Sequence, residues 1–193
     1  DPIIINAIID VDYHEKHFEE LAKKLHKHTS KCIISFIDNY RKTDKVFKIH
    51  GIHELDDKQK RVIARKFSDI AKAYNLTIET CAEDIDLSDM EIEHGKCIDP
   101  KLIESLLGEK INSEKDRNQR KPCGCMVSVD IGAYNTCEHG CLYCYANYSR
   151  ESVKRNAANY DANYPLLCSK LTDKDKVTEK ENKTCIMSQQ SLI

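Results

Sequence analysis

Three cysteines, Cys137, Cys141 and Cys144, sit inside NTCEHGCLYCYAN (135–147) at the spacing C-x3-C-x2-C. Thiolates are soft ligands, and their usual partners are zinc, copper(I) and iron–sulfur clusters. A structural zinc site wants four closed ligands, often as two C-x2-C pairs. Three close thiolates without an obvious fourth suit a [4Fe–4S] cubane that leaves one iron open to a small molecule. His139 lies within the same loop and is the residue that could complete a zinc site instead. A cysteine nucleophile paired with His139 ranks below both, because a nucleophile has no use for two more thiols at this spacing.

Four further cysteines form a second candidate set. Cys123 and Cys125 make a C-G-C just ahead of the loop, while Cys81 and Cys97 lie upstream. Four thiolates at irregular spacing can hold a second [4Fe–4S] cluster. Structural zinc is the competing metal reading, and burial of Cys81 and Cys97 as small hydrophobes is the third. Cys32, Cys168 and Cys185 are not expected to be ligands. The chain has ten cysteines in 193 residues. Clustered thiols between long lysine-rich helical patterns point to metal rather than to a disulfide framework.

The elements that must carry these residues read as α/β. Phe18, Leu21, Ala22 and Leu25 recur at helical spacing in 12–27, with Asp12 as a cap. CIISFID (32–38) and LTIETCA (76–82) read as buried strands. Between them, 57–74 places Val62, Ile63, Phe67, Ile70, Ala71 and Tyr74 on one helical face. The stretch 43–55 reads as irregular. DPKLIESLLG (99–108) has a cap at Asp99, proline in the first turn and glycine as a stop. MVSVDI (126–131) reads as a third strand, and a helix is expected from about Leu142 to Asn156. A helix between two strands makes a βαβ unit with parallel strands. The expected architecture is mainly parallel α/β, a partial TIM-barrel-like (βα) arrangement with a C-terminal cysteine-rich cluster loop. Three portions follow: 1–121 as the βα part, 122–167 as the cysteine-rich strand–loop–helix region, and 168–193 as a weakly ordered tail. A loop between a strand and a helix sits where ligands gather in such proteins.

The bulk numbers exclude some classes. Charged residues make up 32% and the formal net charge is −2, so no overall basic field invites nucleic acid. The mixed run from Lys110 to Lys121 reads as a solvated linker. No apolar stretch approaches the roughly 20 residues of a membrane span. Gly-x-Gly-x-x-Gly and phosphate-loop motifs are absent. Asp38 and Glu83, at expected strand ends, are candidate substrate groups. His14 and His17 suit an exposed polar face better than a metal pair.

The C-x3-C-x-aromatic-C loop, with Tyr143 as the aromatic, resembles that of radical S-adenosylmethionine (SAM) enzymes. The resemblance implies that Cys137, Cys141 and Cys144 hold three irons of a [4Fe–4S] cluster, with SAM on the fourth and Tyr143 beside its adenine. The reduced cluster of that family cleaves SAM to a radical that abstracts hydrogen from substrate. It also implies an electron donor as partner. The longer string CGCMVSVDIGAYNTCEHGCLYCYAN (123–147), with HGKCID (94–99) and SQQSL (188–192), resembles the uncharacterised family DUF1848, noted for such a C-terminal cluster. That resemblance implies longer members, so Asp1 is expected to fall inside the domain, with earlier strands before it. Only 49 residues follow Cys144 in this chain of 193. The loop is therefore expected either in a permuted barrel or on another α/β fold. A radical SAM-type enzyme with an unknown substrate, working in the reducing cytoplasm, is the leading expectation. A non-catalytic [4Fe–4S] electron carrier and a structural zinc module are the alternatives.

Overall fold

The computed structural model describes residues 2–179 and 185–187. The order is α1 (Val11–Leu25), β1 (Lys31–Ile34), α2 (Asp44–His50), α3 (Asp57–Ala73), β2 (Thr77–Thr80), β3 (Glu93–His94), α4 (Pro100–Leu107) and α5 (Arg150–Ala158). The chain is thus α/β, with three parallel strands ordered β1-β2-β3 and five helices among the described residues. Lys31 pairs with Thr77 and Ile34 with Thr80, and Glu79 pairs with Glu93. These three strands form a small sheet; no closed barrel is formed among the described residues. No helix among them is long and apolar enough to cross a membrane.

The core forms where the helical and strand periodicities meet. Ile63, Ala64, Phe67 and Ala71 of α3 are buried at helical spacing, and α1 packs against α3 through stacked Phe18 and Phe67 rings 4.2 Å apart. Ile34, Phe36 and Ile78 join the same cluster from the sheet side. Val62, expected on that face, is instead 45% exposed. Asp56 caps α3 with a reciprocal capping box to Gln59, satisfying backbone donors that the first turn leaves unpaired. α1 is capped by Asp10, whose side chain accepts from Tyr13 N–H, rather than by Asp12. α4 follows the expected pattern: Asp99 caps, Pro100 opens, and left-handed Gly108 stops it.

Three expectations are corrected. The supposedly irregular 43–55 contains α2, which ends at left-handed Gly51. MVSVDI is not a sheet strand. The third strand is the short β3, which takes the place beside β2, and 126–131 leaves Val127, Val129 and Ile131 at 53%, 68% and 88% exposure. Alternation alone cannot make a strand when no sheet edge is there to accept its hydrogen bonds. The stretch makes a brief antiparallel contact with the preceding linker, through Asp116 N–H to the Cys125 carbonyl (3.0 Å) and Val127 N–H to that of Glu114 (2.9 Å), and Met126 N–H donates to the Ile98 carbonyl (3.2 Å). The helix expected from Leu142 starts only at Arg150, where the Ser149 hydroxyl accepts from Ser152 N–H. The segment between is held open as a loop. Farther on, Ile186 bridges Ile111 antiparallel, so residues 185–187 lie against 110–112. SQQSL lies outside the described residues.

Candidate functional site

Both cysteine sets reach the carboxyl ends of the parallel strands, through residues that follow β1, β2 and β3. Asp38, just past β1, is the common anchor. Its backbone carbonyl accepts from the Tyr143 hydroxyl at 2.9 Å, and its carboxylate pairs with Arg120 at 2.7 Å. Arg120 stands three residues before Cys123 of the C-G-C. The basic linker is therefore partly structural, with Asp116 buried and Arg120 engaged.

The loop that carries Cys137, Cys141 and Cys144 is closed at its neck by Asn135. This residue holds φ +59°, a left-handed conformation that asparagine tolerates better than most residues. Its side-chain oxygen accepts from Tyr148 N–H at 2.6 Å, its N–H donates to the Ala146 carbonyl at 3.0 Å, and its carbonyl accepts from Asn156 Nδ2 at 3.1 Å. Asn147 crosses the loop, donating Nδ2 to the Cys137 carbonyl at 2.6 Å. Gly140, at φ +66°, makes the tight turn between the first two thiols. Sequence reasoning missed Asn135. Its signal was present, as an asparagine at the mouth of a loop that must reverse direction.

The three thiols line one cavity of about 580 Å³ between this loop, α2 and the start of α5. Lys42, His139, Arg150 and Lys154 also line it, against the single carboxylate of Glu138. The cavity is thus cation-rich, and the N-terminus of α5 adds to that field. Asn147 lines it too, and its Oδ1 is buried without a hydrogen-bond partner. A buried, unsatisfied acceptor costs about 1–3 kcal/mol, which a bound donor would recover. Lys42 donates to the Asn147 carbonyl and stands 4.6 Å from the Tyr148 ring centre, tying α2 to the loop.

Tyr143 is not in the cavity wall. Its ring sits near Tyr40 and Phe47, and burial, helped by nearby Tyr40, pushes its hydroxyl up to about 12. Tyr148, not Tyr143, is the aromatic residue that lines the cavity.

The second set gathers around the ends of β2 and β3. The sulfurs of Cys81 and Cys97 are 3.7 Å apart, and Ile98 N–H donates to the Cys125 sulfur at 3.4 Å. Burial, followed by the hydrogen bond and charge of Cys97, pushes the Cys81 thiol up to about 11. Burial also raises Cys123, against the N–H of Cys125. For Cys125, burial works upward, but the N–H groups of Ile98 and Cys97 and the thiol of Cys123 outweigh it and lower the thiol. All ten cysteines are unpaired as thiols. Although these four interact, no three His, Cys, Asp or Glu side chains among the described residues close to the spacing of a single bound ion. The same holds for Cys137, Cys141 and Cys144, which share a cavity without converging.

Other candidates have structural employment. Glu83 is buried, with Oε1 accepting from Phe36 N–H at 2.8 Å. The rings of His14 and His17 bond the carbonyls of Ile4 and Tyr13, both at 2.7 Å.

A family model described as a domain of unknown function, DUF1848, matches residues 1–146, a range that includes both cysteine sets. No curated protein and no solved structure matches the chain.

Proposed function

This chain belongs to the DUF1848 family, and we propose that it is an iron–sulfur protein of radical SAM type. A [4Fe–4S] cluster would be held by Cys137, Cys141 and Cys144. The observation that carries this reading is a single cavity lined by three thiols at C-x3-C-x2-C spacing, with no other thiol in its wall. A donor set of three matches a cluster that keeps one corner for a ligand. A cubane also seats its cysteines on separate irons, and so tolerates wider sulfur spacing than one ion does. When bound and reduced, such a cluster supplies the electron that splits SAM.

The chain's own residues have separable tasks. Asn135 and Asn147 hold the loop in its curved form. Lys42, Arg150 and Lys154 attract an anionic cluster and the carboxylate of an amino-acid ligand. Asn147 Oδ1 offers an acceptor to a ligand's N–H or O–H group, and Tyr148 offers a ring face. The parallel strands serve as part of a barrel-like array whose carboxyl ends carry the site. The substrate that loses hydrogen is unassigned. An electron donor is required as partner, and a reducing cytoplasm is the setting that preserves such a cluster.

The test is anaerobic reconstitution with iron and sulfide, followed by EPR of the reduced protein with and without SAM. A [4Fe–4S] signal that shifts on adding SAM is expected. A signal indifferent to SAM would turn the reading to an electron carrier. Zinc uptake without iron would reduce the loop to a structural staple.

A further inference from the structure

Outside the cavity, four more thiols come together from three separate stretches of chain. β2 ends at Thr80 and passes directly into Cys81. β3 ends at His94, and Gly95 N–H then donates to the Thr80 carbonyl at 2.7 Å. No side chain can stand at this crossing, because a Cβ on Gly95 would lie 2.8 Å from Glu79 Cβ. The close approach places Cys97 beside Cys81, with sulfurs 3.7 Å apart. The C-G-C segment then runs against 97–98, with Met126 N–H on the Ile98 carbonyl at 3.2 Å and Ile98 N–H on the Cys125 sulfur at 3.4 Å. Cys123 and Cys125 are buried and touch each other, while Cys97 is exposed.

We propose that Cys81, Cys97, Cys123 and Cys125 form a tetrathiolate site for one zinc ion, which fastens the cysteine-rich segment to the ends of β2 and β3. With a Zn–S bond of about 2.3 Å, neighbouring sulfurs of a tetrahedron stand about 3.8 Å apart. The Cys81–Cys97 pair already has that spacing, while no third thiol stands at it among the described residues, so binding draws Cys123 and Cys125 in to complete the tetrahedron. A [4Fe–4S] cluster would seat these two on different irons and hold them farther apart, so the pair fits a single ion. An all-thiolate donor set selects zinc or iron over harder metals. Backbone N–H groups aimed at sulfur, as at Cys125, stabilise a thiolate and orient its lone pairs. Exposed Cys97 leaves a path for the ion, and rules out the reading of this residue as a small core hydrophobe. Binding replaces the four thiol protons, which pass to solvent, and involves no change of oxidation state. This site is independent of the cluster reading for the loop.

The test is a cobalt(II) titration of the full, reduced chain without oxygen, using cobalt as the visible stand-in for zinc. The unaltered chain is compared with Cys137→Ser/Cys141→Ser/Cys144→Ser and with Cys97→Ser. The expected result is one tightly bound equivalent showing the tetrahedral tetrathiolate spectrum, displaced by zinc. That spectrum should persist in the triple variant and be lost in Cys97→Ser. Circular dichroism checks that Cys97→Ser, altered at an exposed position, remains folded. The proposal is overturned if no tetrathiolate spectrum forms, if the triple variant abolishes it, or if Cys97→Ser keeps it. Failure of the cluster reading would look different: no SAM-responsive EPR signal, with the cobalt spectrum intact.

Discussion

The main apolar cluster has fourteen members, and all of them lie between Ile3 and Ile92. The cysteine-bearing stretch from Cys123 to Ala158 contrasts with it. Its buried positions are Cys123, Cys125 and Val153, while Val127, Val129, Ile131 and Leu142 face outward. The first region holds itself by burying apolar surface, at roughly 25 cal/mol per Å². The second has little such surface to bury. It relies on side-chain hydrogen bonds to backbone, above all from Asn135 and Asn147, and on anchors to Asp38. Stability and chemistry are thereby divided. The packed part supplies a fixed platform, and the weakly packed part leaves the thiols of Cys137 and Cys141 exposed.

Three substitutions would break or sharpen this contrast. Phe67→Ala, which empties one side of the Phe18 stack, should cost about 3–5 kcal/mol in urea unfolding. It should remove both cysteine sites with the fold, because the platform comes first. If loop chemistry survives while the core melts, the division drawn here is wrong. Asn135→Ala should cost about 1–2 kcal/mol, felt only locally, because alanine is strained at φ +59° and the Tyr148 N–H loses its acceptor. Hydrogen exchange should speed up over 145–149 and cluster yield should fall, while the melting of the core is unchanged. A drop in the core melting temperature would show that loop and platform unfold as one.

Tyr143→Phe should have the smallest effect, about 0.5–1.5 kcal/mol, from one hydrogen bond to Asp38. It carries a pH signature. Burial keeps the Tyr143 hydroxyl protonated in the folded chain between its ordinary value of 10.0 and about 12. Across that interval the folded form binds the proton and the unfolded form releases it, so stability falls as pH rises. Cys81 acts in the same direction between 9.0 and about 11. Chemical denaturation from pH 8 upward should show this decline, and Tyr143→Phe should flatten its upper part. An equal slope in the variant would remove Tyr143 from the account.

The packed half was largely legible in the sequence. Periodicity marked α1 and α3, capping chemistry bounded α4, and β-branched runs marked β1 and β2. Pattern and burial agree best in α3 and β2; Leu21 and Leu25 of α1 stay 54% and 46% exposed, and α4 buries no residue. α2 was not legible, because its seven residues bury only Phe47. MVSVDI misled for the opposite reason: its alternation is clear, but β3 takes the strand position beside β2. Within the candidate site, thiol spacing made Cys137, Cys141 and Cys144 readable, and the C-G-C drew notice to Cys123 and Cys125. What spacing could not give was the meeting of Cys81 with Cys97. That depends on the crossing at Gly95, a contact between strands distant in sequence. Nor could spacing show that Tyr143 turns toward Asp38 and leaves Tyr148 on the cavity.

Asp38 holds the Tyr143 hydroxyl through its backbone and Arg120 through its side chain. In mechanical terms it is a shared datum for two otherwise separate assemblies. A displacement of the turn after β1 carries the cavity loop and the C-G-C approach in the same direction, so the offset between them changes less than the position of either. The two sets of thiols are thus gauged against each other by one aspartate that belongs to neither.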